Sequence, residues 1–271
     1  MTFQPIVPIS GLAGWVFLNT TMQRQTDLFN KSPELIRDSD YFAQNIGKIE
    51  TAEALVHDRR LLRVALGAFG LQDDINNRAF IQKILEDGTG RDDSLANKLA
   101  DDRYKKLANV LGFDRSIGPG VRTQNFAQGI IAQFRERAFE VAVGDQNQSL
   151  RLALNAKREL TEIATRDSSE NTKWLTVLGQ QPLRKVFETL LGLPAGFGRL
   201  DLDRQIEIFE DRSSRQLGFK RLEDLADPEI LDDLIERFIL RDQIASFSVQ
   251  SSGSIALTLL QNATRSFGGR Q

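Results

Sequence analysis

The 271-residue sequence contains no cysteine and only one histidine, His57. The absence of cysteine excludes disulfides, thiolate nucleophiles and thiolate metal ligands. A single histidine also excludes a metal site with two histidine ligands from one chain. No stretch approaches the roughly 20 consecutive apolar residues of a membrane-spanning helix. We therefore expect no membrane insertion, and we assign no catalytic, cofactor-binding or metal-binding residues.

The sequence also lacks an excess of either charge. Lys and Arg total 35, Asp and Glu total 37, and no basic block stands out along the chain. Proteins that bind nucleic acid as their main partner carry such a block, so we expect no nucleic-acid partner. The first basic residue is Arg24, and Pro5 and Pro8 interrupt the apolar residues before it. A secretory signal begins with positive charge, so the sequence predicts a cytoplasmic location.

The apolar residues recur at helical spacing, and alternation typical of strands is nearly absent. With 41% hydrophobic residues the chain can form a substantial core. The pattern predicts an all-α, multi-helical fold. Predicted helices cover about 12–30, 40–46, 59–69, 75–86, 94–99, 101–111, 123–143, 149–166, 182–191, 200–212 and 228–247. The spacing of the 17 phenylalanines predicts that most of them lie in the core.

An internal repeat is the clearest organising feature, because the stretch 60–113 returns in diverged form at 183–238. Three landmarks match in order: Gly70-Leu71 with Gly192-Leu193, Ile84–Asp87 with Ile208–Asp211, and Leu99-Ala100-Asp101 with Leu225-Ala226-Asp227. Each copy reads as a helix ended by glycine, followed by shorter helices. The repeat predicts two related helix-turn-helix modules joined by long helices, which can also form one compact domain.

The predicted organisation has five segments. They are an N-terminal helical arm at 1–30, a first helical module at 31–120, connecting long helices at 121–170, a second module at 171–250, and a C-terminal amphipathic segment with a tail at 251–271. The glycines and the proline of 112–120 mark the end of the first module. The amphipathic stretches 12–29 and 255–267 flank the modules. They either dock on the core of their own chain or mediate assembly.

Few residues suggest chemistry. His57 would have to serve as the base of any Ser/His/Asp arrangement, but a place on the surface or at a helix end is the simpler interpretation. The pairs Asp73-Asp74, Asp92-Asp93 and Asp101-Asp102 lack the spacing of a calcium loop and lie where helices should begin, so we predict capping. The Gly192–Gly198 stretch follows a helix and lacks a Gly-Lys-Ser/Thr ending, which indicates a turn.

Several motifs resemble a family of uncharacterised, mainly alphaproteobacterial proteins that are often assigned to the flagellum. They include Tyr41-Phe42, Asp58-Arg59-Arg60-Leu61, Ala68-Phe69-Gly70-Leu71, Asp101-Asp102-Arg103-Tyr104, Leu150–Leu154, Leu190–Pro194 and Arg237-Phe238. The resemblance spans about 41–242. It implies a helical fold and a role in assembly or regulation of the flagellum, reached by an export route that needs no signal. It supplies no catalytic residues.

These observations favour a non-enzymatic structural or accessory protein that acts through protein partners, with the flagellar system as the implied setting. A second hypothesis is a cytoplasmic helical scaffold or adaptor unrelated to flagella. A third is an enzyme that uses a carboxylate site. In the second repeat the residues Asp227-Pro228-Glu229-Ile230 replace Asp101-Asp102-Arg103-Tyr104, so a structural role for that motif, as an ion pair or cap, fits better than a reactive one.

Overall fold

The chain folds into α-helices, as a computed structural model describes for residues 3–114, 120–122, 125–194 and 196–246. No strand occurs within these ranges. The helices are α1 (Gly11–Phe29), α2 (Pro33–Asn45), α3 (Ala52–His57), α4 (Arg59–Ala68), α5 (Arg78–Asp87), α6 (Leu95–Lys98), α7 (Asp102–Leu111), α8 (Phe126–Gly144), α9 (Gln148–Thr165), α10 (Glu170–Gly179), α11 (Gln181–Leu190), α12 (Leu202–Arg212) and α13 (228–246). The predicted all-α class is confirmed.

Two predicted helix starts are wrong for local reasons. Helix α2 begins at Pro33 rather than near residue 40, because proline is well suited to the first helical turn and Ser32 precedes it as the N-cap. Helix α5 begins at Arg78 rather than at residue 75, because Gln72–Asn76 form a separate 3₁₀ turn.

The repeat is visible in the way the first helix of each repeat copy ends. Gly70 after α4 has φ +70°, and Gly192 after α11 has φ +59°. In both cases the next residue closes the helix, since the Leu71 amide donates to Leu66 and the Leu193 amide donates to Glu188, each at 2.9 Å. This left-handed ending favours glycine and satisfies carbonyls that the helix leaves free. The Gly-Leu landmarks therefore mark equivalent turns.

Helices α8 and α9 lie between the two modules and pack against each other. Arg137 of α8 donates to the Ala68 carbonyl at the end of α4, at 2.6 Å. Lys157 of α9 pairs with Asp232 of α13, also at 2.6 Å. One hydrophobic cluster extends from α1 through both modules to α13. The long helices thus share a core with both modules, while the predicted division into five segments stays a prediction.

Helix α1 docks on the rest of the chain. Its Trp15, Leu18 and Phe29 are buried, and the Phe29 ring meets the Phe139 ring of α8 edge to face at 5.7 Å. Of the two expectations for the stretch 12–29, docking is confirmed. The stretch 255–267 lies outside the described residues.

The core of the second module is an aromatic cluster. Phe209 of α12 lies 5.8 Å from Trp174, 5.6 Å from Phe187 and 5.2 Å from Phe197, measured between ring centroids. All four side chains are buried. Ten of the phenylalanines in the described part of the chain are buried, as their helical spacing predicted.

Candidate functional site

His57 lies at the last position of α3, exposed to solvent. Its Nδ1 is 2.8 Å from the Glu53 carbonyl oxygen one turn earlier. The predicted position at a helix end is confirmed. The N-cap of the same short helix is Thr51, whose side chain accepts from the Ala54 amide.

The three acidic pairs have different roles. Asp101 is the N-cap of α7 and accepts a hydrogen bond from the Arg103 amide at 3.0 Å, as predicted. The prediction is wrong for the other two pairs. Asp74 lies in the first turn of a 3₁₀ segment and accepts from the Asn77 side chain at 2.7 Å, because the helix that follows begins only at Arg78. Asp93 precedes the cap of α6 and pairs with Arg91 at 2.9 Å.

The Gly192–Gly198 stretch provides a structural anchor. Phe197 is buried and stacks on Phe209 with an angle of 4° between the rings. Phe197–Arg199 form one 3₁₀ turn before α12. The interpretation as a turn is confirmed among the described residues of this stretch, and its function is to close the aromatic core.

Glu159, on α9, is the centre of a buried ion network. Its side chain is 1% exposed, and its Oε1 accepts from Arg137 of α8 at 3.0 Å and from Arg158 at 2.5 Å. The Lys106 Nζ of α7 lies 3.6 Å from the other oxygen. Burial alone would raise the pKa of Glu159, but the three cations lower it to about 2. Glu159 therefore stays ionised at neutral pH and joins three helices.

A second carboxylate connects the first module to the second. Asp102 at the start of α7 accepts from Gln180, between α10 and α11, at 2.9 Å. It also accepts from Arg166, just after α9, at 3.3 Å. The Gln180 side chain is buried and contacts Glu159 as well, at 3.4 Å. The two modules are thus held together through polar groups of α7 and the α10–α11 junction.

The remaining residues of the Asp101–Tyr104 motif join α7 to α4 and to the 3₁₀ turn. Arg103 chelates Asp101 through Nε and Nη2, while its Nη1 donates to the Gly70 carbonyl at 2.6 Å. The Tyr104 hydroxyl donates to Asp74 at 2.6 Å. Burial, followed by this bond, raises the pKa of the Tyr104 phenol. The motif thus provides the cap of α7, the Arg103–Asp101 ion pair and the Tyr104–Asp74 hydrogen bond. These contacts confirm the structural role expected from the loss of the motif in the second repeat.

The sequence pattern did not predict that Glu159, Arg137 and Gln180 belong to a buried polar network. A signal for Glu159 exists, because it falls between the buried residues Ala156 and Leu160 on the face of α9 that points into the core. A carboxylate at such a position needs a buried cation. No comparable signal identifies its partner, because Arg137 reaches Glu159 only through the packing of α8 on α9.

Helices α1, α8 and α9 enclose an open groove of about 840 Å³, which we call the α1–α8–α9 groove. Apolar side chains line it on each helix: Met22 of α1, Ala132 and Phe139 of α8, and Leu154 of α9. Ala132 is exposed to solvent. Clefts of this size with a mainly apolar floor are typical of binding sites.

One carboxylate on the rim of this groove has no cation partner. Glu136 is exposed to solvent and forms no ion pair or hydrogen bond with the described residues. Desolvation raises the pKa of Glu136, whereas nearby Arg158 lowers it and Glu140 raises it further. An occupant of the groove could therefore place a cation beside Glu136.

The described ranges contain neither a metal site nor a membrane-spanning helix. No group of three His, Asp or Glu side chains there is arranged to hold a metal ion. No helix within those ranges has the length and apolar character needed to cross a membrane.

The chain was compared with known families and structures. The model of DUF1217, a family of proteins of unknown function, matches residues 68–231, more than half of the chain. The chain belongs to this family. It is similar to a crystal structure of a structural-genomics target from Agrobacterium tumefaciens, with 27% identity and a TM-score of 0.72 over 89% of this chain and 99% of the other. No curated protein matches the chain.

Proposed function

We propose that this DUF1217 member is a non-enzymatic structural or accessory protein that binds a protein partner of the bacterial flagellar system. The α1–α8–α9 groove, with its apolar floor and the unpaired Glu136 on its rim, is the observation that carries the binding role. The flagellar setting rests on the family resemblance of the motifs between residues 41 and 242. We propose a location in the cytoplasm or at the flagellum.

The groove suits an amphipathic helix that carries one basic residue. Leu154 and Thr161 bound its α9 wall, and seven residues of helix span about 10 Å. About two turns of a partner helix would fit, with apolar anchors at spacings of three and four. A Lys or Arg on that helix would pair with Glu136. Net binding then comes from apolar burial, and the basic residue fixes the orientation.

The ionisable groups in the described ranges support a role without catalysis. His57 is exposed and faces a backbone carbonyl. Glu159 and Asp102 are engaged by cations that hold helices together. An enzyme that used a carboxylate would need one with freedom to exchange protons, and a pKa of about 2 makes Glu159 unsuitable as a general acid at neutral pH.

The flagellar setting is tested by a clean deletion of the gene, with swimming assays, electron microscopy of flagella and localisation of a tagged copy. Reduced swimming or defective filaments would support it. Normal swimming with normal basal bodies would contradict it, and the scaffold unrelated to flagella would then be the better hypothesis.

The groove is tested separately with a tagged protein carrying Ala132→Trp, which fills it from an exposed position. Ala54→Trp on α3, also exposed, is the matched control. We expect a specific partner to co-purify with the control but not with Ala132→Trp. Equal recovery with both variants would contradict the groove as the contact. Truncation after residue 246 that increases recovery would show that the C-terminal residues of this chain compete for the groove.

A further inference from the structure

A second cavity, of about 360 Å³, lies where the first and second modules meet the long helices. Its wall comes from the end of α4, from α7, α8 and α9, and from the start of α11. We call it the module cleft. It shares Glu140 with the α1–α8–α9 groove, but its other lining residues are different.

Four cations line the module cleft: Arg103, Arg137, Arg151 and Lys185. Arg103 is neutralised by Asp101 and Arg137 by Glu159. Both also contact carbonyls at the C-terminal end of α4, where the helix dipole favours positive charge. By contrast, the charged side-chain groups of Arg151 and Lys185, which also line the cleft, form no ion pair or hydrogen bond with the described residues. Two cations therefore face the cavity without a compensating acid.

The acidic residues of the lining do not offset this charge fully. Glu140 is chelated by Arg158 through Nε at 2.7 Å and Nη2 at 3.0 Å. Asp73 is exposed and has no ion-pair partner in the described part of the chain. The groups left without partners are thus two cations and one carboxylate, so an anion placed near Arg151 and Lys185 would be stabilised.

Neutral groups in the wall add hydrogen-bonding capacity. Gln181 and Pro182, in the first turn of α11, line the cleft. The N-cap Gln180 makes no capping bond because its side chain turns to Asp102 and Glu159. Pro182 has no N–H, so Gln181 and Leu183 supply the amides of this first turn, and no side chain caps them.

We propose that the module cleft binds a small oxyanion, a phosphate or carboxylate group. Arg151 and Lys185 supply the charge, and the N–H groups of Arg103 and Arg137 not used within the protein supply further donors. This site is independent of the partner groove, and neither proposal requires the other.

The test is calorimetric titration of the full-length protein with inorganic phosphate and, in parallel, with citrate. We expect one saturable site that weakens as NaCl is raised. Arg151→Gln and Lys185→Gln should each weaken binding by about five- to tenfold, and Asp73→Asn should strengthen it by about threefold, because they remove attraction and repulsion respectively. Arg215→Gln, on an exposed side chain outside the cleft, should leave the affinity unchanged.

Stronger binding of phosphate than of citrate would assign a phosphate ligand, and the reverse order a carboxylate ligand. Absence of saturable binding of either probe at millimolar concentration would overturn the proposal. So would equal affinity in the wild type and in all three cleft variants, with thermal melts verifying that each variant folds.

Discussion

The two modules share their helix-ending signals but differ in how they are connected to the rest of the chain. Helices α4 and α11 end in the same glycine turn, and Asp101 and Asp227 both accept from the amide two residues later, at 3.0 and 2.9 Å. In the first module, however, the residues after the cap extend into a polar network with α8 and α9. In the second module the corresponding residues are Pro228, Glu229 and Ile230. There the packing of an aromatic cluster holds the helices together.

This difference distinguishes the residues that cap and end helices from the residues that form the candidate sites. Caps and left-handed turns recur because each helix must satisfy its free amides and carbonyls wherever it lies. Arg103 and Tyr104 do not recur in the second copy, although Gly192 repeats the turn at Gly70, whose carbonyl Arg103 contacts. The repeat therefore preserves caps and helix-ending turns, whereas Arg103, which lines the module cleft, occurs in the first copy alone.

The largest effect should come from the core of the second module. Phe209→Ala should lower the free energy of unfolding by about 4 kcal/mol, because it leaves a cavity between three aromatic rings. Leu85→Ala, at the equivalent buried position of the first module, should cost about 3 kcal/mol. Urea denaturation measures both, and Leu202→Ala on the exposed side of α12 is the control. A larger loss of unfolding free energy for Leu85→Ala than for Phe209→Ala would contradict the idea that the aromatic cluster stabilises the second module.

The next effect concerns the polar network of the first module. Glu159→Gln leaves Arg137 and Arg158 without their shared carboxylate. The pKa of Glu159 falls from 4.5 to about 2 on folding, so its charge should stabilise the folded state by about 3 kcal/mol above pH 4.5. Because the folded-state pKa is depressed, this contribution is lost as pH falls through 4.5 toward 2.

Denaturation of wild type and Glu159→Gln between pH 7 and pH 3 checks this prediction. The difference between the two unfolding free energies should shrink by roughly half at pH 3, because Glu159 in the folded protein is protonated only near pH 2, whereas exposed Glu53→Gln should match the wild type throughout. A difference that is constant with pH would show that lost packing, rather than lost charge, explains the variant.

The smallest effect compares the two caps directly. Asp227→Ala removes a cap and should cost about 1 kcal/mol. Asp101→Ala removes a cap together with the acid that chelates Arg103, and it should cost about 2 kcal/mol. Thermal or urea unfolding of the two variants measures the difference. Equal losses would mean that the Arg103 pair adds no stability to the first module.

Local signals predicted most of the fold. Thr51, Asp101 and Gly70 act on amides and carbonyls within a few residues, so the sequence alone indicates their roles. The start of α2 was predicted too late in the chain, although Ser32-Pro33 is a typical N-cap followed by a proline in the first helical turn. The candidate sites were not predicted, because Arg151 and Lys185 come from helices distant in sequence and only packing places them around one cavity.

The sequence by itself determined an all-α chain, the caps and glycine turns at many of its helix ends, the internal repeat and its membership of a family. These properties depend on apolar spacing and on backbone hydrogen bonds, both of which act over a few residues. Only the tertiary structure decided that Glu159 is buried among three cations, that α1 closes a groove with α8 and α9, and that two unpaired cations face the module cleft. Burial and charge compensation depend on residues from different helices, and their juxtaposition exists only after the helices have packed.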